Sequence, residues 1–251
     1  MKIAILGTGA GARCHAAKLI DLGHDVTVGT RSPEATLARS EPDMMGTPPF
    51  SAFLAEHPEL TLATFADAAA AGELVINGID GAHAVTALTA GPAPALAGKV
   101  LIDYAVPYVY QQEGDTEHPW PTAWGVMPRL DPVDTDSLAE RIQRALPDTK
   151  VVKTFVTQEQ ATVVNPAGIA GGDHTMFLAG NDPDAKDAAP LTAARLRLEG
   201  RARPRRPARR ARYGDVRPPP HGHRPRPRRR RQPLRCQDRP LNRPPAPRWR
   251  R

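Results

Sequence analysis

The stretch MKIAILGTGAGAR at residues 1–13 decides the fold of this chain of 251 residues. Its apolar run, Lys2–Leu6, leads directly into Gly7-Thr8-Gly9-Ala10-Gly11-Ala12, which has the spacing G-x-G-x-x-A. A helix is expected over residues 10–22 and a second strand over residues 25–28. A strand, a glycine turn, a helix and a second strand form the context in which this spacing binds a dinucleotide.

The small residues of this turn have separate physical roles. Gly7 allows a tight turn, Gly9 allows the backbone to approach a pyrophosphate, and Ala12 allows close packing of the helix on the strand. The free N–H groups and partial positive charge of the helix N-terminus attract the same pyrophosphate. The alternative is a glycine-rich turn that only packs on the sheet. We predict cofactor contacts from Gly7, Thr8, Gly9, Ala10 and Gly11.

The end of the second strand indicates which dinucleotide is bound. An NAD enzyme usually carries Asp or Glu here to accept the ribose hydroxyls, whereas this chain has Gly29-Thr30-Arg31-Ser32. Arg31 can pair with a 2′-phosphate, and the hydroxyls of Thr30 and Ser32 can add hydrogen bonds. Ser32-Pro33 also matches the N-cap and first residue of a helix, which is a structural alternative for Ser32. The sequence favours NADP over NAD.

The strands and helices expected farther along the chain alternate. This alternation indicates an α/β fold with a doubly wound parallel sheet, the Rossmann arrangement. Residues 104–132 read as a long loop that contains Trp120 and Trp124. Further strands are predicted at 60–63, 74–77, 99–103, 150–155 and 174–178, and helices at 33–39, 51–56, 65–71, 82–89 and 137–145.

The charge changes sign along the chain. Residues 1–194 carry 12 basic against 24 acidic residues, whereas residues 195–251 carry 22 arginines, three acidic residues and twelve prolines. The first part can bury a sizeable core, but the second has too little apolar surface to offset its ordering entropy. We expect a dinucleotide-binding domain at 1–180, the start of a truncated C-terminal element at 181–195 and a disordered tail at 196–251.

The sequence also limits location and partners. The first apolar run is too short for a signal peptide or a membrane span, and two cysteines make a disulfide framework improbable, so a cytoplasmic protein is expected. No metal site is predicted. The arginine-rich tail would bind polyanions without sequence preference, so no specific nucleic acid is expected. The expected partners are small-molecule cofactors, with no membrane, and a homodimer is left open.

Several further motifs complete a family resemblance. LVINGIDG at 74–81, KVLIDYAVP at 99–107 and GGDHTMFLAGNDPDAK at 171–186 join the first two motifs. Over residues 1–188 the chain resembles the NADP oxidoreductases that depend on the deazaflavin coenzyme F420. The resemblance implies direct hydride transfer between NADP(H) and the deazaflavin, to which the protein contributes orientation and water exclusion. Such chemistry needs no protein acid, base or nucleophile, so no catalytic residue is predicted.

Two alternatives to this function stay open. One is an NADP-dependent reductase of another small acceptor. The other is an NADP-binding protein without turnover. The resemblance implies that Gly7–Ala10 holds the pyrophosphate and that Asn77 and Gly78 lie beside the nicotinamide ribose. The remaining implied cofactor contacts are Thr30, Arg31, Ser32, Ala105 and Pro107.

The chain departs from the family pattern near this site. The pattern Asn-Ala-Thr-x-Gly is replaced by Asn77-Gly78-Ile79-Asp80-Gly81, and Asp-Val-Ala-Asn-Pro by Asp103-Tyr104-Ala105-Val106-Pro107. Leu-Asn-Thr becomes Phe155-Val156-Thr157. Val106 and Val156 therefore stand where two asparagines are expected near the site.

The C-terminal sequence suggests a displaced reading frame. With suitable codons read one base later, residues 196–216 spell Phe-Gly-Trp-Lys-Asp-Val-Leu-Asp-Leu-Gly-Asp-Leu-His-Gly-Ala-Arg-Gly-Thr-Glu-Met-Tyr. The same offset lets residues 234–241 spell Phe-Gly-Val-Lys-Ile-Val-Arg and a stop codon. The first resembles the segment with which the family closes over the deazaflavin, and the second resembles the family's C-terminus. We hypothesise a frame slip between residues 186 and 196.

Sequencing the coding DNA across residues 185–200 from the source organism tests this hypothesis. We expect that the given sequence reflects one base gained or two bases lost relative to the reading frame of residues 1–185. Correcting this change would restore the Phe-Gly-Trp-Lys segment. An unchanged sequence would contradict the slip. It would leave a chain from which we expect NADP binding with little or no catalysis.

Overall fold

The computed structural model describes residues 1–43, 46–109, 131–168, 170–172 and 175–187, together with the backbone of the pairs 121–122, 125–126 and 129–130. The predictions that involve Trp120, Trp124 and residues 188–251 lie outside the described residues. No helix in the described part of the chain is long and apolar enough to cross a membrane.

In chain order the strands of the described residues are β1 (Lys2–Leu6), β2 (Asp25–Thr30), β3 (Thr61–Thr64), β4 (Leu74–Asn77), β5 (Val100–Asp103), β6 (Tyr108–Val109), β7 (Pro121–Thr122), β8 (Gly125–Val126), β9 (Arg129–Leu130) and β10 (Lys150–Lys153). Six of them form a central parallel sheet, in the order β3-β2-β1-β4-β5-β10. The chain builds outward from β1 on one side and then from β4 on the other. The strand order therefore reverses between β1 and β4, which confirms the predicted doubly wound fold.

Side-chain caps begin several of the helices. The hydroxyl oxygens of Ser32, Thr64 and Ser137 each accept a hydrogen bond from the backbone N–H three residues later, at 3.1–3.2 Å. Asp182 accepts in the same way from Ala185 N at 2.8 Å. The helices are α1 (Ala10–Asp21), α2 (Pro33–Leu37), α3 (Phe50–Glu56), α4 (Phe65–Ala71), α5 (Ala84–Ala90), α6 (Ala93–Leu96), α7 (Leu138–Ala145) and α8 (Gln160–Val164).

Apolar side chains cover both faces of the sheet. Along β1, Ile3 and Ile5 pack in the cluster that contains Leu19 of α1, whereas Ala4 and Leu6 pack in the cluster that contains α4 and α5. Strands of a parallel sheet that are buried on both faces need nearly continuous apolar runs, which is what the sequence shows. The two clusters hold the strand ends, and therefore the loops that follow them, in fixed positions.

Two sequence expectations were wrong. The described residues 175–178 form no strand, and only Ala179 bridges Lys153, through hydrogen bonds of 2.7 and 3.0 Å. The pairing ends there because Phe155, two residues after β10, has a φ of 64°, which interrupts the extended backbone. The predicted loop 104–132 also contains two antiparallel pairs, β6 with β9 and β7 with β8.

Candidate functional site

A crevice of about 990 Å³ lies at the carboxyl ends of β1 and β4, where the strand order reverses. Gly7 has a φ of +124°, which favours glycine, and its N–H donates to the carbonyl oxygen of Gly29 at 2.9 Å. A Cβ added at Gly7 would overlap the carbonyl oxygen of Gly78. The loops after β1 and β4 are therefore in backbone contact, as expected of the floor of a dinucleotide site.

Gly9 leaves the start of α1 open. It precedes the helix in extended conformation, no side chain caps the helix there, and an added Cβ would meet no atom within 4 Å. The first N–H groups of α1 therefore lack a side-chain cap at the edge of the crevice, which Gly7, Thr8 and Gly9 line. This arrangement suits an anionic group such as a pyrophosphate.

Arg13, which the sequence analysis did not select, holds the glycine turn in place. Its Nε donates to the carbonyl oxygen of Thr8 at 3.0 Å, and its Nη1 donates to that of Pro48 at 2.6 Å. The guanidinium group also lies over the ring of Phe50, 5.3 Å from its centroid. Arg13 thereby ties the glycine turn to the segment before α3.

One end of the crevice is lined by the predicted 2′-phosphate residues Thr30, Arg31 and Ser32. The hydroxyl of Thr30 already bonds that of Thr36 at 2.8 Å, and Ser32 caps α2, so the proposed structural alternative for Ser32 is observed. Arg31 is exposed, and no carboxylate in the described part of the chain pairs with it. It is therefore the group of the three that is free to bind a phosphate.

A second arginine lines the same end, and the sequence analysis missed it. Arg39 follows α2, is exposed and also lines the crevice. No local motif distinguishes Arg39 from other surface arginines. Its position beside the crevice depends on how α2 packs in the folded protein, which a local pattern does not encode. Asp80 is the only acidic residue that lines the crevice in the described part of the chain, so this end has a positive local charge.

Of the two residues predicted beside the nicotinamide ribose, Asn77 belongs to a buried polar network. Asn77 and Asp103 are fully buried, and Asn77 Nδ2 donates to Asp103 Oδ1 at 2.8 Å. Lys153 Nζ donates to Asp103 Oδ2 at 2.8 Å and to the carbonyl oxygen of Ala105. The network joins the ends of β4, β5 and β10. Gly78 lines the crevice itself, whereas Asn77, Ala105 and Pro107 do not.

A second cavity of about 570 Å³ lies beside the crevice, on the other side of the start of α1. Ala10, Gly11 and Cys14 form one wall, and the residues after β5 and β10 form the others. Val106 and Val156, which replace the two expected asparagines, both line it. The remaining lining residues are Tyr104, Tyr108, Thr157, Gln158, Glu159, Gln160 and Ala161.

His15 connects α1 to the opposite wall of the second cavity. Its Nε2 lies 2.7 Å from Gln160 Oε1, and Gln160 Nε2 donates to the carbonyl oxygen of Phe155 at 2.9 Å. The imidazole is fully buried and contacts the rings of Tyr104 and Phe155, with centroid distances of 5.1 and 5.5 Å. Burial lowers the pKa of His15, so the imidazole is neutral in the folded protein at neutral pH.

The chain is similar to known proteins in both sequence and fold. A family model for F420-dependent NADP oxidoreductases matches residues 2–107. The chain is similar to the solved structure of an Arthrobacter sp. FB24 protein, provisionally named an F420-dependent NADP-reductase. The identity is 48%, the TM-score is 0.68, and the match covers 78% of this chain and 81% of that chain.

More distant structures share the fold alone. A Bacillus cereus imine reductase has 18% identity and a TM-score of 0.51, with 78% of this chain and 52% of that chain covered. A hypothetical protein from Sinorhizobium meliloti has 18% identity and a TM-score of 0.53, with 78% and 81% covered. No curated protein matches the chain.

The burial of His15 predicts an acid-sensitive stability. Below about pH 6.5 the unfolded chain takes up a proton at His15 that the folded state does not, until the pH reaches the lowered folded pKa. The free energy of unfolding should therefore fall from pH 7 to pH 5, by up to about 1.4 kcal/mol per pH unit from this group. Urea unfolding at pH 7, 6 and 5 measures this fall.

The variant His15→Phe keeps an aromatic ring against Tyr104 and Phe155 and removes the titrating group. We expect lower stability than the parent at pH 7, because the bond to Gln160 is lost, but a flatter dependence on pH. Identical slopes for the parent and the variant would show that His15 does not cause the acid sensitivity.

Proposed function

The chain belongs to the F420-dependent NADP oxidoreductase family, and from this premise we propose that it transfers a hydride between NADP(H) in the crevice and coenzyme F420 in the second cavity. The chain is thus an NADP-dependent oxidoreductase, and the deazaflavin acceptor is the proposed refinement. The open start of α1 would receive the pyrophosphate, and the two arginines at the end of the crevice would receive the 2′-phosphate.

The observation that carries the proposal is the shared wall of the two cavities. Gly9 lines the crevice, and the next two residues, Ala10 and Gly11, line the second cavity. Hydride transfer requires the donor and acceptor carbons to approach to about 3–3.5 Å. The two cavities adjoin at the first turn of α1, so the two rings would meet at this shared edge and not across the backbone.

The protein contributes position and exclusion of water. When bound, NADP(H) supplies or accepts the hydride. Val106, Val156 and the ring of Tyr104 give the second cavity apolar surface, which suits one face of a flat ring. The buried Asn77–Asp103–Lys153 network holds the loops beneath both cavities, so the positions of the two rings would be set by backbone.

Purified protein should oxidise NADPH when F420 is present. The measurement is anaerobic loss of NADPH absorbance, and NADPH deuterated at the transferred position should pass deuterium to the reduced deazaflavin. FMN and a cyclic imine serve as comparison acceptors. They are included because Val106 and Val156 replace two asparagines of the family pattern, so the second cavity lacks polar groups that the family pattern predicts. Oxidation with one of these but not with F420 would support another acceptor. NADPH binding without any turnover would support the binding-protein alternative.

The two arginines of the crevice should determine the preference for NADPH. Loss of a charge-assisted hydrogen bond in Arg31→Ala or Arg39→Ala should weaken NADPH binding about tenfold or more and leave NADH binding unchanged. Fluorescence titration with both cofactors measures the preference. Arg141→Ala is the control, because Arg141 pairs with Asp136 on the surface and lines neither cavity. Equal affinities of the parent for NADPH and NADH would contradict the NADP assignment.

A further inference from the structure

The hydroxyl of Tyr104 is buried without a hydrogen-bond partner. Its oxygen has almost no accessible surface, and no group in the described part of the chain forms a hydrogen bond with it. A buried, unsatisfied hydroxyl costs about 1–3 kcal/mol, and most such groups in folded proteins have a partner. The orphaned hydroxyl therefore indicates that something outside the protein completes its hydrogen bonding.

The position of this hydroxyl is the partition between the two cavities. A Cβ added at Gly78 would overlap the Tyr104 oxygen, and one added at Gly11 would lie 3.2 Å from it. Gly78 lines the crevice, and Gly11 lines the second cavity. The hydroxyl thus fills the space that side chains of both glycines would occupy, at the place where the two cavities meet.

We propose that Tyr104 binds the nicotinamide half of NADP(H), with its hydroxyl donating a hydrogen bond to a ribose or carboxamide oxygen of that half. The inference rests on the NADP(H) assignment of the proposed function and does not depend on the acceptor. The adenosine half is excluded by position, since Arg31 and Arg39 lie beyond β2 at the far end of the crevice. Tyr104 follows β5 on the opposite side of the switch point.

The protonation state and the local sequence agree with a donor role. Burial, together with the nearby Cys14 and Asp103, raises the pKa of Tyr104, so the hydroxyl stays protonated and can donate throughout the neutral range. Tyr104 and Gly78 both depart from the pattern of the resembled family. Their contact explains why the two departures occur together, because an alanine at 78 would collide with the tyrosine oxygen.

The variant Tyr104→Phe removes only this hydroxyl. NADPH should bind about tenfold more weakly, which corresponds to the loss of one hydrogen bond, while 2′,5′-ADP, which lacks the nicotinamide riboside, should bind as in the parent. The melting temperature of the free protein should stay the same or rise, because an unsatisfied buried oxygen is gone. Fluorescence or calorimetric titration and thermal unfolding measure the three quantities.

Thr149→Val is the matched control. Its hydroxyl is also buried, but it donates to the carbonyl oxygen of Leu96 at 3.2 Å. Thr149 lies just before β10, at the amino-terminal ends of the strands, whereas Tyr104 follows the carboxyl end of β5. This variant should lower the melting temperature and leave both affinities unchanged. Tyr104→Phe should therefore weaken NADPH binding without lowering the melting temperature, whereas Thr149→Val should lower the melting temperature without weakening NADPH binding.

The outcomes separate this inference from the proposed function. Equal NADPH affinities of the parent and Tyr104→Phe overturn the inference, and so does an equal loss of NADPH and 2′,5′-ADP binding, which would indicate a structural role. NADPH binding without hydride transfer to F420 overturns the proposed function and leaves the inference standing. A parent that binds no NADPH overturns both.

Discussion

The structure depends on one buried ion pair between Asp103 and Lys153. A carboxylate with no accessible surface needs a partner, and removing one partner of such a pair typically costs about 3–5 kcal/mol. The same carboxylate accepts from Asn77, so three parallel strands that are distant in sequence end at one level. The loops that carry Gly78 and Tyr104 begin at that level, and their close contact follows from it.

The glycines at the carboxyl ends of the strands allow the loops to contact each other closely. Gly7 turns with a positive φ against Gly78, and Gly78 in turn leaves the space that the Tyr104 oxygen occupies. A series of close contacts thus runs from the end of β1 to the end of β5, first between backbone atoms of Gly7 and Gly78 and then between Gly78 and the Tyr104 side chain. Because backbone forms the floor of the crevice and a side chain fills the partition beside it, the space available to two rings is set by the packed sheet.

The departures from the family pattern concern polar groups more than shape. Val106 and Val156 line the second cavity where amides are expected, which makes its surface more apolar. Tyr104 adds a hydroxyl in the partition between the two cavities. The His15–Gln160 bond holds the wall of this cavity against α1. The cavity is therefore supported by the same helix whose first turn faces the crevice.

The sequence by itself determined the sheet, the glycine turn and the expectation of a 2′-phosphate, because each is local. A strand buried on both faces needs an apolar run, and a tight turn needs glycine. Tertiary structure alone decided that Arg39 joins Arg31, that Arg13 holds the turn, that Asn77 lies beneath the crevice and that the Tyr104 hydroxyl has no partner. These features depend largely on contacts between residues far apart in the sequence, such as Arg13 with Pro48 and Asn77 with Asp103. Packing sets such contacts, and local sequence patterns do not encode them.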